Sequence, residues 1–468
     1  MNTMDQPTSA IAASVKDGTT TARKIIDQVL ARISATRADL NAFTCVTADR
    51  ARKRALEIDT AIAANQDPGP LAGVPFSVKN LFDLEGVITL AGSKINWDNP
   101  PAGADATAVA RLEAAGAICV GALNMGEYAY DFVTENAHYG ATHNPHDTSR
   151  SAGGSSGGSG AAVAADLSAI TLGSDTNGSI RVPSSFCGIW GLRPTYGGLS
   201  RGGSFAFVDS LDTIGPFART VADISLAFDA MAGPDPRDAA CCERVLPATF
   251  PEIENGTRGL RIAKLGGYFA TGGDPTVHAA VEQVAAALNV SSTVELPQVE
   301  LARTAAYTIT AAESGARHLK RLQTRAADFE PNTRDRLLAG ALLPATWVDK
   351  AQRFRSWWRA EVASVFDSHD VLLAPATPIT APVHGQETLK FRGKELPLRP
   401  NIGLFTQPIS LIGLPILAAP LHLPEQMPCA VQIIGAPFTE TKLLRVGRAL
   451  EKAGICSAPV AANFAAPA

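Results

Sequence analysis

The stretch SAGGSSGGSGAAVAA, residues 151–165, changes abruptly from a glycine- and serine-rich run into an alanine-rich helical pattern. Glycine lets the backbone adopt a positive φ and lets N–H groups approach a ligand, and the first turn of the following helix adds N–H groups without helical partners. Such a loop favours the binding of an anion or an oxyanion. A nucleotide phosphate is a weak interpretation, because neither a P-loop signature nor the spaced glycines of a dinucleotide-binding turn occur in the sequence.

Helical and strand patterns alternate on both sides of this stretch. Helices are predicted at residues 21–33, 107–115, 161–165, 221–231 and 277–288, and strands at residues 118–121, 170–172, 260–265, 371–373 and 431–434. Such alternation predicts an α/β fold, here a single large mixed β-sheet covered by helices on both faces. Residues 1–468 are predicted to form one domain. The long helical patterns at 305–322 and 351–366 predict a helical subdomain inserted at about residues 235–367.

Composition and charge narrow the classes of partner. The 468 residues are 46% hydrophobic and 18% charged with a net charge of -4, which is typical of a globular protein and lacks the basic excess of a nucleic-acid-binding surface. Residues 401–424 carry no charge but are interrupted by prolines, so they predict a core strand and turn rather than a membrane span. The seven scattered cysteines and the start of the chain, without a recognisable signal peptide, predict free thiols and a cytoplasmic location.

Two more segments carry candidate catalytic residues. In GSDTNGSIRVPSSFCG, residues 173–188, the backbone N–H groups of Thr176, Asn177, Gly178 and Ser179 could converge on one oxygen. In LAGVPFSVKNLFDLEG, residues 71–86, Lys79 ends an apolar run. Burial would lower its pKa, and a neutral lysine is a base. Taken alone, Lys79 is better interpreted as a surface residue, but its occurrence with both loops favours catalysis.

These three segments resemble the amidase signature family, whose catalytic unit is a lysine, a serine in a cis peptide and a nucleophilic serine. The segment GVPFSVKN corresponds to the family's lysine segment and gives Lys79, and GGSSGGS at residues 153–159 gives Ser155 as the cis-serine. The family motif D-x-G-G-S-I-R corresponds to residues 175–181 and gives Ser179 as the nucleophile. The resemblance continues through CGIWGLRPTYGGLSR, LDTIGPFART and AVQIIGAPFTE, and therefore covers nearly the whole chain.

The resemblance implies an amidohydrolase that works through an acyl-enzyme and needs no metal or other cofactor. Lys79 would take a proton from Ser155, which would activate Ser179, and the N–H groups of residues 176–179 would hold the oxyanion. Asp175 and Arg181 are expected to lock the loop as an ion pair. Where most relatives have a second glycine, this chain has Asn177, which tolerates a positive φ and whose side chain would shrink or polarise the pocket.

Three segments are most similar in sequence to those of the biuret and carboxybiuret hydrolases within the family, namely AGSKINWD, TENAHYGATHNPHDTSR and DTNGSIRVPSS. These hydrolases cleave small urea-like amides and release ammonia. One alternative is the amidase component of a glutamine-dependent amidotransferase, which holds glutamine with an acid just before a DIFT-like segment. Here that position is Gly403, so the acid is missing. A general aliphatic or aryl amidase is another alternative. An inactive binding subunit is disfavoured, because Lys79, Ser155 and Ser179 are all present.

Two pocket residues are predicted from the same resemblance. Tyr307 and Arg336 would contact the substrate, because the planar guanidinium of an arginine binds both oxygens of a carboxylate, although a surface arginine is the alternative for Arg336. A metal site at His143, His146 and Asp147 is disfavoured, since the intervening turn leaves no fourth ligand. Relatives suggest a homodimer, with or without a small accessory subunit.

Overall fold

The computed structural model describes residues 6–465. Eleven of the strands in these residues form one mixed sheet, and six others form three separate pairs. The strands are β1 (Phe43–Val46), β2 (Pro75–Lys79), β3 (Ile118–Leu123), β4 (Glu135–Asn136), β5 (Gly140–Ala141), β6 (His143–Asn144), β7 (Asp147–Ser151), β8 (Ile170–Asp175), β9 (Trp190–Arg193), β10 (Thr213–Ala218), β11 (Ile262–Leu265), β12 (Thr293–Val294), β13 (Val371–Pro375), β14 (Thr388–Phe391), β15 (Lys394–Pro397), β16 (Ile416–Leu421) and β17 (Cys429–Gly435). The sheet order is β1-β3-β2-β8-β10-β9-β16-β17-β13-β11-β12, and β4–β5, β6–β7 and β14–β15 form separate pairs.

Helices cover both faces of this sheet. They are α1 (Thr8–Lys16), α2 (Ala22–Leu40), α3 (Ala48–Ala63), α4 (Thr107–Ala114), α5 (Gly157–Ala164), α6 (Arg181–Cys187), α7 (Val221–Met231), α8 (Pro275–Ala287), α9 (Val299–Arg325), α10 (Pro331–Ala341), α11 (Ala345–Val365), α12 (Leu398–Asn401), α13 (Gln407–Ser410) and α14 (Glu440–Lys452). Every residue of β2, β3, β8 and β10 is buried, as expected for strands covered on both sides. The predicted α/β fold with one large mixed sheet is confirmed.

The register of two parallel strands places the catalytic candidates at one edge of the sheet. Strand β2 runs parallel to β8, with Phe76 opposite Ile170 and Val78 opposite Leu172. Both strands therefore end at the same edge, where Lys79 follows Val78 and Ser174 lies at the end of β8. In open α/β sheets, sites form at the carboxyl ends of parallel strands.

The predicted elements are found close to their expected bounds. Helix α2 begins where Thr21 accepts a hydrogen bond from the Lys24 N–H, and it runs seven residues beyond the predicted end at residue 33. Residues 235–367 contain the long helices α9 and α11, but also β11 and β12, which join the main sheet. The segment is therefore not only helical, and a separate helical subdomain stays a prediction.

Residues 401–424 form strand β16 and the short helix α13, which begins beside Pro408, instead of a strand and a turn alone. No helix within residues 6–465 combines the length and the apolar character needed to cross a membrane. The prediction that the chain lacks a signal peptide rests partly on residues 1–5, which lie outside the described residues.

Candidate active site

Lys79 is buried at the end of β2 and hydrogen-bonded to two serines. Its Nζ lies 2.7 Å from Ser155 Oγ and 2.9 Å from Ser174 Oγ, and the lysine is 0% exposed. Burial lowers the pKa of Lys79 to about 7, against the opposing effect of the negative charges of Asp212 and Asp175. Near neutral pH a large fraction of this amine is therefore uncharged and able to accept a proton from Ser155.

Ser155 lies in a loop whose glycines pack directly on neighbouring backbone. The peptide bond between Gly154 and Ser155 is cis. A Cβ on Gly154 would lie 2.5 Å from the backbone nitrogen of Val133, so only glycine fits at this position. The Ser155 carbonyl accepts the Gly126 N–H at 3.1 Å. These contacts fix the backbone that presents the Ser155 hydroxyl to Lys79.

The loop that carries Ser179 is organised around one buried carboxylate. Asp175 accepts two guanidinium hydrogen bonds from Arg181, at 3.0 and 2.9 Å, and both residues are 0% exposed. Arg193, also buried, lies 3.3 Å from the same carboxylate. Burial alone would raise the pKa of Asp175, but the charges of the two arginines outweigh it and hold the pKa at about 2. Asp175 and Arg181 therefore form an ion pair inside the protein.

This ion pair engages one of the predicted oxyanion donors. The Gly178 N–H donates to Asp175 Oδ1 at 2.8 Å, so it is engaged within the loop, and its role as an oxyanion donor stays a prediction. Within residues 6–465, the N–H groups of Asn177 and Ser179 have no protein acceptor. The positive φ of the loop belongs to Gly178, at 140°, and not to Asn177. The N–H groups of Thr176, Asn177 and Ser179 therefore remain the candidate oxyanion donors that have no protein acceptor within residues 6–465.

Ser179 faces a small cavity of about 20 Å³. The two residues that resemblance alone assigned to substrate contact, Tyr307 and Arg336, line the same cavity. It adjoins a larger cavity of about 520 Å³, which also contains Tyr307 and Arg336 together with Asp131 and Glu330. Within residues 6–465 the Ser179 hydroxyl makes no hydrogen bond to Lys79 or Ser155, which are bonded to each other. Catalytic hydrogen bonds often tighten only when substrate is bound.

Arg336 and Tyr307 surround Tyr130 in the cavity wall. The Arg336 guanidinium lies 3.6 Å from the centre of the Tyr130 ring, and its Nη1 donates to the Tyr130 carbonyl at 2.7 Å. Its buried Nε has no acceptor in the described part of the chain. Arg336 is therefore held in place by stacking and still has a donor free for a ligand.

Asn177 forms another part of this wall. Its Nδ2 donates to Thr310 Oγ1 of α9 at 2.8 Å, and its backbone carbonyl accepts from Thr406 Oγ1 at 2.6 Å. The side chain is buried, and Oδ1 has no donor among the described residues. Asn177 is thus a lining residue of the cavity with one buried polar atom that has no partner among the described residues.

Several contributing residues have no clear signal in the sequence. The Lys79 amine contacts Ser174 as well as Ser155. The contact with Ser174 depends on the register that brings the ends of β2 and β8 together. Asp212 accepts a hydrogen bond from Thr176 Oγ1 at 2.6 Å, and burial raises its pKa. Arg193 adds a charge to the Asp175 pair. All three are distant in sequence from the groups they contact or are ordinary strand residues, so spacing alone could not identify them.

The histidines that were weighed as metal ligands have other partners. His143 Nδ1 lies 2.7 Å from the Thr148 carbonyl, and His146 Nε2 lies 3.0 Å from the Cys187 carbonyl. Across residues 6–465, no cluster of His, Cys, Asp and Glu side chains has the arrangement of a metal site.

Gly403 occupies the position of the glutamine-binding acid, and neighbouring side chains pack closely against it. A Cβ on Gly403 would lie 2.7 Å from the Phe132 ring. An acidic side chain at residue 403 would therefore clash with the wall behind the Ser179 cavity.

Comparisons with known proteins are consistent over nearly the whole chain. The sequence profile of the Amidase family matches residues 24–444. The chain is similar to the 1-carboxybiuret hydrolase component AtzE of Pseudomonas sp. (strain ADP), with 51% identity over 450 residues that cover 96% of this chain and 98% of that protein. It is also similar to one component of the glutamyl-tRNA(Gln) amidotransferase of Synechococcus sp. (strain CC9605), with 37% identity and 97% coverage of each chain.

A solved structure gives the same relationship. It is described as "An unexpected vestigial protein complex reveals the evolutionary origins of an s-triazine catabolic enzyme" and superimposes with a TM-score of 0.95 at 50% identity, covering 97% of this chain and 99% of the other. A bacterial aryl acylamidase superimposes with a TM-score of 0.87 at 25% identity, covering 98% of each chain.

Proposed function

This chain belongs to the Amidase family and is an amide-hydrolysing enzyme, and on that premise we propose that it cleaves a small urea-like or carboxylated amide of the biuret or 1-carboxybiuret type with release of ammonia. The observation that carries this proposal is the shared cavity of Ser179, Asn177 and Arg336. The cavity places a candidate nucleophile beside an amide side chain and a guanidinium, which suit a compact substrate with N–H groups and a carboxylate. The similarity to the 1-carboxybiuret hydrolase component AtzE supports the same substrate class.

The proposed mechanism assigns one proton path to the three catalytic candidates. Neutral Lys79 accepts the Ser155 proton, Ser155 takes the proton of Ser179, and Ser179 Oγ forms a bond to the carbonyl carbon. The C–N bond then breaks, Ser155 delivers its proton to the departing nitrogen and takes back the proton held by Lys79, and ammonia leaves. Water repeats the sequence on the acyl-enzyme and releases the acid. The 2.7 Å contact between Lys79 and Ser155 and the lowered pKa of Lys79 support the first step.

The oxyanion of each tetrahedral intermediate would be held by the N–H groups of Asn177 and Ser179, next to Thr176. Fixed donors of this kind are worth several kcal/mol in the transition state, because they need no reorientation when charge develops. The ion pair between Asp175 and Arg181 supports them indirectly, since Asp175 accepts hydrogen bonds from the backbone on both sides of Ser179.

Glutamine is disfavoured as the substrate, because the packing of Gly403 against Phe132 leaves no room for an acid at that position. An aryl amidase is a weaker candidate, because the residues beside Ser179 include the polar side chains of Asn177, Thr310, Arg336 and Gln407. A general aliphatic amidase is the remaining alternative, and it would lack a preference for urea-like nitrogen.

The proposal includes a cytoplasmic location and a homodimer. All seven cysteines are free, which suits a reducing compartment. Trp347 and Leu342 are 60% and 81% exposed on or beside α10 and α11, and such apolar exposure favours an interface. A small accessory protein is the alternative occupant, in keeping with the protein complex described for the similar s-triazine enzyme. Light scattering of the purified chain should give twice the mass of one chain; a monomer would contradict the homodimer.

An ammonia-release screen of the purified chain tests the substrate proposal. The substrates are biuret, 1-carboxybiuret, allophanate, malonamate, simple aliphatic and aryl amides, and glutamine. We expect the highest kcat/KM for biuret or 1-carboxybiuret. Preferred turnover of glutamine or of a simple aliphatic amide would overturn the urea-like assignment and leave the amidase chemistry intact.

A further inference from the structure

We infer that Asn177 is a specificity-determining residue whose Oδ1 accepts a hydrogen bond from an N–H next to the scissile carbonyl on its acyl side. The preferred substrate is then an amide whose carbonyl carbon bears a second nitrogen, as in a urea, rather than a carbon. This inference deepens the proposed function and rests on it, because it concerns the acyl side of the amide that Ser179 attacks.

Asn177 is held through both its side chain and its backbone carbonyl. Its side chain is anchored to Thr310 at 2.8 Å, and Thr310 is itself buried on α9. Its carbonyl is bonded to Thr406 at 2.6 Å. These two hydrogen bonds fix the side-chain amide between the loop and α9, within a residue that lines the cavity.

The Asn177 Oδ1 atom has no hydrogen-bond donor among the described residues. Asn177 is 7% exposed. A buried acceptor without a hydrogen bond is energetically unfavourable, so a ligand that supplies a donor gains affinity. Asn177 lines the cavity that Ser179 faces and lies two residues before Ser179 in the chain.

The other polar side chains that line this cavity differ from Asn177 in what they can donate or accept. Arg336 has only donors. The Tyr130 hydroxyl lies beside the side chains of Arg336 and Tyr307, which affect its pKa. Gln407 Oε1 already accepts from Arg303 at 2.8 Å. Among the residues that line this cavity, Asn177 Oδ1 and the Tyr130 hydroxyl are buried without a hydrogen bond in the described part of the chain, and of these two only Asn177 Oδ1 is restricted to accepting.

The chemical consequence is discrimination between N–H and CH₂. Biuret and malonamide have the same length and the same terminal amides, but biuret has N–H where malonamide has CH₂. A site that forms a hydrogen bond to an N–H rejects the analogue without it, because its own buried acceptor is then left unpaired. Asn177 should therefore favour biuret over malonamide.

The test compares kcat/KM for ammonia release from biuret and malonamide in the wild type, Asn177→Ala and Asn177→Gly. Because the two amides differ in intrinsic reactivity, the readout is the change in their ratio between proteins. We expect both variants to lose about tenfold to a hundredfold of the biuret preference, mainly by slowing biuret. Thr310→Val, which removes only the anchor of Asn177, should lose a smaller part. Circular dichroism and thermal unfolding verify that each variant is folded.

A ratio that is unchanged in both Asn177 variants, or a wild type with no preference for biuret, would overturn the inference and leave amide hydrolysis intact. A binding measurement distinguishes failure of the inference about Asn177 from failure of the proposed function. Titration calorimetry with Ser179→Ala gives the affinities for biuret and malonamide without turnover. If the wild type hydrolyses neither amide, the proposed substrate class fails, whereas tighter binding of biuret that disappears on adding Asn177→Ala still supports the role of Asn177. Equal binding of both amides overturns it.

Discussion

The cavity in front of Ser179 has two walls that are built in different ways. Residues 151–195, which carry the glycine-rich loop and the Ser179 loop, are buried without exception and joined by hydrogen bonds and an ion pair. The opposite wall comes from α9 and α10, where Tyr307 is 39% exposed and Arg336 is held by a stacked ring. The difference indicates that the loop wall fixes the geometry of the chemistry, whereas the helical wall can vary in sequence and adjust recognition. Substitutions that change one wall and leave the other intact test this division.

The largest effect is expected for Ser179→Ala in the loop wall. The hydroxyl makes no hydrogen bond in the described structure, so its loss should not alter folding. Turnover should fall on the order of a millionfold, as for other serine nucleophiles. Steady-state ammonia release measures this, and labelling by a fluorophosphonate probe should disappear at the same time.

Ser156→Ala is the matched control, since it lies in the other loop and removes only a 3.2 Å hydrogen bond to the Ser174 carbonyl. It should lose no more than about tenfold in activity. Labelling that persists in Ser179→Ala would rule out Ser179 as the nucleophile and move that role to another serine of the two loops.

The second prediction concerns the stability of the loop wall. Asp175→Asn leaves Arg181 and Arg193 buried without a counter-charge, which should lower the free energy of unfolding by about 3–5 kcal/mol in urea titrations at neutral pH. Because the arginines outweigh burial and hold the pKa of Asp175 at about 2, below its usual 3.8, the wild type keeps this stabilisation above about pH 3.8 and loses it as the pH falls towards 2.

Asp349→Asn is the control for this change. Its partner Arg353 is 75% exposed, and removing an exposed ion pair should alter the free energy of unfolding by no more than about 0.5 kcal/mol. If Asp175→Asn lowered the free energy of unfolding by an equally small amount, the buried ion pair would not be what stabilises the loop wall.

The loop wall is also the part of the molecule that could be predicted from sequence. Glycine and serine spacing is local, so the motifs identified Lys79, Ser155 and Ser179 as candidates, and helical and strand periodicity located the elements around them. The role of each candidate stays a prediction until it is measured. What could not be predicted is which donor of residues 176–179 is free, because Gly178 is engaged by a side chain whose orientation depends on two arginines.

The helical wall was less predictable for a physical reason. Tyr307 and Arg336 are 29 residues apart on different helices, and periodicity does not say which helix face meets a loop more than a hundred residues away. The bond between Asn177 and Thr310 depends on that packing. Strand β11 lies within the strand predicted at residues 260–265, whereas β12 was missed because it has only two residues and long helical patterns dominate the segment at residues 235–367.

The third prediction uses pH to examine Lys79. Because burial brings the pKa of Lys79 to about 7, kcat/KM should rise about tenfold per pH unit below that value and level off above it. Folding is affected in the same direction, since between about pH 7 and 10.5 the unfolded lysine holds a proton that the folded one does not, and stability therefore rises with pH across this window.

Asp212→Asn sharpens this measurement. The negative charge of Asp212 raises the pKa of Lys79, so its removal should move the acidic limb of the pH–kcat/KM profile to lower pH. Glu282→Gln, whose partner Lys264 lies in an exposed pair far from Lys79, should leave the limb in place. A limb that does not move in Asp212→Asn would mean that a group other than Lys79 controls the profile.

The smallest effect is expected in the helical wall, where Arg336→Ala should change preference rather than chemistry. Arg336 is stacked on Tyr130 and has a buried Nε without an acceptor in residues 6–465, so it is suited to a substrate carboxylate. Removing it should lower kcat/KM for 1-carboxybiuret about tenfold to a hundredfold, the usual range for a hydrogen bond to a charged group, while kcat/KM for neutral biuret changes by less than about threefold.

Arg334→Ala is the matched control, because Arg334 lies two residues away and pairs with the exposed Asp335. The comparison of the two walls predicts that the change in Arg336→Ala appears mainly in KM, since the groups that carry the proton lie in the other wall. If Arg336→Ala lowered kcat for both substrates equally, Arg336 would belong to the catalytic geometry, and the division between a chemical wall and a recognition wall would be wrong.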